Sequence, residues 1–271
     1  MKKFSIIHIP VLSFYSKELY RDVGLNWKGA GFAYLLLLLA VCWVPVMINV
    51  HMVFSDFVNN AAPAVVEQVP RITIADGEVS IEEPQPYYIK LPDSNDVLAV
   101  IDTAGEIESL EDVEDTNAIL LLTKNKVIMR QSGLETRTYD LSEVKKFAFG
   151  GDDIMGWLRI FGKFFAIAAY PFALICSYVY RIIQALIYAA IGLLFASVCK
   201  VKLPYNALLR LAIAAVTPCI IVGTILDITG IYVPWPLYPL VALGYLFYGV
   251  KATSPEPPGQ EEILRPQNTG I

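Results

Sequence analysis

From Ala30 to Val50 the chain runs for 21 residues without a charged side chain. As a helix rising about 1.5 Å per residue, that run reaches about 31 Å, which matches a hydrocarbon core of about 30 Å. Such a stretch sits either against lipid or in an unusually large core, and its length and lack of charge favour lipid, so it is expected to cross a membrane. The small-x-small site Ala62-Pro63-Ala64 lies well past the run and contains proline. The run is therefore expected to stay in place as an anchor rather than be removed as a signal peptide.

Three further apolar blocks follow, Trp157–Cys199, Ala207–Leu226 and Trp235–Val250. They explain why 55% of the 271 residues are hydrophobic and only 17% charged, against about 25% charged in soluble domains. The four cysteines, Cys42, Cys176, Cys199 and Cys219, all fall in apolar runs, where they read as small hydrophobes. His8 and His51 have no cysteine at metal-ligand spacing. No metal, cofactor or catalytic residue is expected.

The expected organisation is a membrane α-helical bundle of four spans, with five as the alternative, carrying an inserted extracytoplasmic β-rich α+β domain. Residues 1–29 form a cytoplasmic basic lead-in, with Trp27 as an interfacial anchor. Residues 30–50 are span one, and 51–153 the outer domain with a helical stalk. A long helix over 154–199 contains span two, 207–227 and 235–250 are spans three and four, and 251–271 read as a disordered tail.

Orientation follows from the basic residues. Lys2, Lys3, Lys17, Arg21 and Lys28 precede span one, which predicts a cytoplasmic N-terminus in a bacterial inner membrane. The segment Asp56–Asp153 holds 20 Asp and Glu against 8 Lys and Arg, compatible with an outside location.

Arg181 is the decisive residue. If it marks a turn, the 154–199 block makes two spans, and the loop with Lys200, Lys202 and Arg210 faces outward, against the positive-inside rule. If the block is one helix, that loop and Lys251 both face the cytoplasm. Helical counts from Cys199, Ala207 and Lys28 carry Arg181, Asp227 and Asn49 about 30 Å each. An Arg181–Asp227 pair at the outer boundary is expected, with Gln184 nearby. Arg181, Gln184 and Asp227 form the candidate polar cluster, read as structural or functional, since ionisable residues in spans mark function by default. The residues Val50, Val53, Phe57, Val58, Ala61, Val65 and Val69 recur at helical spacing and are expected to pack a stalk.

In the outer domain, "RITIADGEVSIEE" predicts a hairpin turning at Asp76-Gly77. "DVLAVIDT", "NAILLLTKNKVIMR" and "TRTYDLSEV" predict further strands, with a short helix near Leu141–Phe147. The prolines of "PQPYYIKLP" predict an edge or connecting segment. "VIDTAGE" looks like a nucleotide-switch segment, but no phosphate cradle GxxxxGK[ST] exists, so a strand ending in a turn at Gly105 is the expectation. The six carboxylates of "EIESLEDVEDT" lack calcium-loop spacing and read as a solvated acidic loop.

With "ITIADGEVS", "VIDTAG" and "KLPYNALLRLAIAAVTP" in this order between an N-terminal span and a C-terminal bundle, the chain resembles a bacterial family, domain of unknown function 1189. Some members bear a maltodextrin-utilisation label. The resemblance implies no activity and carries over no site residue. The expectation is a non-catalytic membrane protein whose outer domain senses or scaffolds a membrane-protein partner or a second copy. The rival expectation is a transporter component or lipid-handling protein using the intramembrane polar residues. Contact with the lipid bilayer is expected, and contact with nucleic acid is not.

Overall fold

The computed structural model describes residues 3–255 apart from 30, 93, 95, 114–117 and 133–134. The tail beyond 255, and Glu114 and Asp115 of the acidic stretch, lie outside the described residues. The chain forms two compact units, one of residues 1–49 with 167–271, the other of residues 50–166.

The first unit is helical. A turn of 3-10 helix at Ile6–His8 leads into α1 (Ile9–Leu12) and α2 (Lys17–Leu25), and the apolar helices are α3 (Phe32–Asp56), α5 (Gly151–Val198), α6 (Tyr205–Thr229) and α7 (Leu237–Ala252). Three of these stretches, Phe32–Val66, Gly151–Val198 and Tyr205–Thr229, are long and apolar enough to cross a membrane, while α7 is a shorter apolar helix. This marks a membrane protein. Helix α5 is unbroken through both Pro171 and Arg181. The turn that a fifth span requires at Arg181 is absent.

Helix α6 is the centre of this unit, with every residue from Ala207 to Ile220 except Arg210 buried. It is apolar all round there because it has neighbours all round. Leu35 and Leu38 of α3, Ala185 and Ala189 of α5, and Leu246 and Val250 of α7 join the same core.

The lead-in is part of that core. Ser16 caps α2 by accepting a bond from the Leu19 amide at 3.2 Å, which satisfies an orphan donor of the first turn. Leu19 and Tyr20 are fully buried, and each such side chain contributes about 1.5–3 kcal/mol by leaving water. The Tyr20 hydroxyl donates to the Ser13 carbonyl at 2.7 Å, which is what a buried phenol requires. Helix α7 comes so close that a Cβ on Gly249 would lie 2.7 Å from the Tyr20 ring. Only glycine allows that approach.

Asp22 organises the start of the chain. Its carboxylate accepts from the Lys3 and Phe4 amides at 2.9 and 3.0 Å, and from Asn26 Nδ2 and Trp27 Nε1 at 2.8 Å each. Burial alone would raise this carboxyl, but the bonds from Trp27, Asn26 and the two amides outweigh it and hold it below the ordinary carboxylate range.

The second unit is β-rich. Its strands are β1 (Ile72–Ala75), β2 (Glu78–Ser80), β3 (Tyr87–Lys90), β4 (Val97–Asp102), β5 (Leu120–Thr123), β6 (Lys126–Ser132), β7 (Glu135–Asp140) and β8 (Lys146–Phe149). They form a three-stranded sheet, β2-β1-β8, and a five-stranded sheet, β3-β4-β5-β6-β7. The β1–β2 hairpin turns on Asp76 and Gly77 at φ 49° and 83°, the paired positive values that a two-residue Asp-Gly turn supplies. β4 and β5 pair in parallel, and the crossover between them packs Ile107, Leu110 and Val113 against Val97, Val100 and Leu121. β3 is an edge strand bonded to β4 alone. At the other edge, all six residues of β7 are exposed.

Two expectations are corrected here. Residues 141–145 are a turn rather than a helix, because β1 recruits them: the Asp76 and Gly77 amides bond to the Lys145 and Val144 carbonyls at 2.9 Å each, and β8 follows. The apolar stripe along the first helix holds in part: Val65 and Val69 pack against the β-rich core, but the face before them differs from the expectation. A π-helical turn at Phe57–Ala61 precedes α4 (Ala62–Val66), and a wider turn rotates the face that follows it. Val53 and Phe57 are 63% and 48% exposed, whereas Val58 is buried. The contact with α5 is made instead by Phe54, whose ring centroid lies 5.6 Å from that of Phe161 and 6.2 Å from that of Phe165.

Candidate functional site

In the helical unit, the start of α6 and the end of α7 lie at the same end as the lead-in. Arg210 of α6 donates Nε to the Val23 carbonyl at 3.1 Å, Nη1 to that of Gly29 at 3.2 Å and Nη2 to that of Gly24 at 3.3 Å. A guanidinium over the last carbonyls of α2 satisfies orphan acceptors and the negative end of the helix dipole. Thr253, just past α7, reaches Gly24 of the same helix. Sequence reading took Arg210 for a loop charge; the structure makes it the C-terminal cap of α2.

Toward the other end of α6 the apolar helices leave a pocket of about 320 Å³. Helix α3 contributes Trp43, α5 contributes Tyr180, Arg181 and Gln184, α6 contributes Cys219 and Asp227, and the start of α7 contributes Tyr238. All three residues of the expected cluster therefore line one cavity. The expected ion pair does not form. Arg181 Nη1 donates to Gln184 Oε1 at 2.7 Å, and Gln184 Nε2 donates to the Tyr188 hydroxyl at 3.1 Å. The Arg181 guanidinium carbon lies 5.5 Å from the Tyr180 ring centroid, within cation–π range. Among the described residues, Arg181 has no carboxylate partner, and Asp227 makes no side-chain hydrogen bond.

The reason is helix register. A Cβ on Gly192 of α5 would touch Leu208 of α6 at 3.3 Å. Carried along two antiparallel helices, that contact sets Arg181 level with Cys219 and leaves Asp227 about 12 Å further on. Counting from Cys199 and Ala207 treats those two residues as level, whereas this register sets Ala207 beside Leu193, about 9 Å along α5 from Cys199.

Other polar residues of the spans are spent locally. Thr217 and Thr224 donate to the carbonyls four residues back, of Ile213 at 3.0 Å and Ile220 at 2.9 Å, and the Tyr34 hydroxyl bonds Thr217 at 3.2 Å. Sequence reading missed Tyr188, although Arg181, Gln184 and Tyr188 follow the spacing of one helical face.

The β-rich unit has a larger hollow, about 760 Å³, between residues 105–111 and β5–β7. It mixes Asp102, Glu108 and Glu111 with Lys124, Lys126 and Arg130, three acids against three bases, so neither sign dominates there. Asp102, fully buried, is committed to the turn after β4. It accepts from the Ala104, Gly105 and Ile107 amides at 2.9, 3.1 and 2.6 Å. Gly105 takes φ +89°. That geometry builds a loop, not a nucleotide site.

Among curated proteins, the chain is similar to "Uncharacterized protein RP489" of Rickettsia prowazekii (strain Madrid E), 26% identical over 111 residues, covering 37% of this chain and 38% of that protein. The chain thus spans well under half the length of that relative. No solved structure matches. A family model described as a protein of unknown function, DUF1189, matches residues 11–250, from α1 through the end of the helical core. The chain belongs to the DUF1189 family.

Proposed function

We propose that this is a non-catalytic protein of the bacterial inner membrane, crossing it four times with the N-terminus in the cytoplasm. In this reading α3, α5, α6 and α7 are the crossings, and the acidic β-rich unit lies outside and senses or scaffolds a partner. The topology is supported by the shared end of the helical unit. Arg210 and Thr253 both meet α2, so the basic lead-in, the loop with Lys200 and Lys202, and Lys251 fall on one side, as the positive-inside rule favours.

The observation that carries the scaffolding role is β7. Among the described residues it pairs with β6 on one side only, and Glu135–Asp140 are all exposed. An uncovered edge offers its backbone groups to an extended segment of another chain, a second copy included.

Two measurements test the reading. Lys202→Cys should resist an impermeant thiol reagent in intact cells and react once the membrane is opened; labelling in intact cells refutes the topology. A photocrosslinker at Thr138 on β7 should capture one discrete membrane partner or a second copy. A probe there that is accessible yet captures nothing refutes the scaffold role.

A further inference from the structure

We propose that the pocket at Arg181 binds a singly charged anionic group, a phosphodiester or carboxylate, carried on an amphipathic molecule. This goes beyond the scaffold reading and does not depend on it.

The argument starts from charge. Arg181 is largely buried and lies in an apolar helix bundle, where a cation without a counter-charge is costly. Its one hydrogen-bond partner among the described residues is the neutral amide of Gln184. Among the described residues, Ser13 Oγ is the buried side-chain polar atom left without a partner. The uncommitted guanidinium nitrogens therefore keep accessible surface and can donate to a ligand. They form a planar fork suited to two oxygens of one anion.

The group is also held in place. Gln184 is 9% exposed and is itself tied to Tyr188, so the amide that orients Arg181 cannot turn freely. Trp43, Tyr180 and Tyr238 give the cavity apolar walls, which suits an acyl or other greasy portion. Asp227 lines the same cavity without a partner and disfavours a second negative charge on the ligand. At about 320 Å³ the space takes a headgroup and its first carbons rather than a whole lipid.

One titration tests this. Trp43 and Trp235 both line the cavity, so the tryptophan emission of the full chain in a neutral maltoside detergent reports occupancy. The probes are dihexanoyl phosphatidylglycerol, dihexanoyl glycerol with the same tails and no phosphate, and inorganic phosphate. The phosphatidylglycerol should bind at least tenfold more tightly than the phosphate-free lipid. Arg181→Gln should remove that preference, and Arg181→Lys should retain part of it. Failure of inorganic phosphate to compete would support a lipid headgroup, whereas competition by it would keep the anion site and overturn the amphipathic carrier. Equal affinity of the wild-type chain for the two lipids overturns the proposal, and so does undiminished preference in a normally eluting Arg181→Gln. If Arg181→Gln does not fold, the wild-type comparison of the two lipids decides alone.

Discussion

Replacing Asp22 by alanine should loosen the whole helical unit. The carboxylate accepts four hydrogen bonds and is 3% exposed. Bonds to a charged acceptor are worth about 1.5–3 kcal/mol each. Lys3 is exposed and Phe4 only partly buried, so their amides can turn to water and the net loss rests on Asn26 and Trp27, about 3 kcal/mol. At about 2–4 °C per kcal/mol for a unit of this size, the midpoint of heat unfolding should fall by about 6–12 °C. The assay is thermal unfolding of the detergent-solubilised chain, followed by tryptophan emission. Asp22→Asn, which keeps an acceptor oxygen without the charge, should fall by about half as much. The pH dependence has a definite sign. A carboxyl held below its unfolded value, about 3.9, stabilises fully above that value and loses its contribution as pH falls through the folded value. Wild type should therefore lose stability below about pH 4, and that acid limb should shrink in Asp22→Asn. An Asp22→Ala midpoint within about 2 °C of wild type would refute the reasoning.

Arg210→Met removes two bonds to the end of α2 and one to Gly29 beyond it, and should cost about 2 kcal/mol in the same assay, with Arg210→Lys recovering part of it. Gly249→Val drives a side chain into the Tyr20 ring and should cost about 2–3 kcal/mol, partly relieved when Tyr20 is shortened to leucine. Asp102→Ala strips three backbone amides of their acceptor in the β-rich unit, and limited proteolysis should then cut within residues 103–110 well before it does in wild type. Tyr188→Phe frees Gln184 to turn, and should weaken phosphatidylglycerol binding severalfold while leaving the unfolding midpoint within about 2 °C.

Local chemistry was legible in the sequence wherever it was sufficient by itself. Asp76-Gly77 makes its hairpin turn because the two residues accept positive φ whatever surrounds them. The apolar runs announce their helices because lipid leaves the backbone no other partner. The prolines around β3 kept that strand at an edge. What failed was whatever depends on a distant segment. Leu141–Phe147 has a helical pattern, yet β1 supplies partners that draw it into a turn and a strand. The stripe from Val50 to Val69 reads on an even period, yet Val53 faces outward while Val65 and Val69 pack, and the wide turn at Phe57–Ala61 between them is announced by no residue type. The Arg181–Asp227 pairing assumed a register that the Gly192–Leu208 contact sets otherwise. Arg210 looked like any basic residue near a loop, since its use as a cap depends on α2, whose residues come almost 190 positions earlier.

The packing of α2 bears on how the chain is made. Tyr248 bonds the Tyr15 carbonyl at 3.2 Å, and Gly249 seats Tyr20, so α2, made early, waits for α7, made more than 200 residues later. Until α7 emerges, Leu19 and Tyr20 lack their cover, and the nascent chain carries an unfinished, sticky amphipathic segment at its front. Docking of α2 is thus completed only when α7 is in place, and loss of α7 would be felt directly at Tyr20.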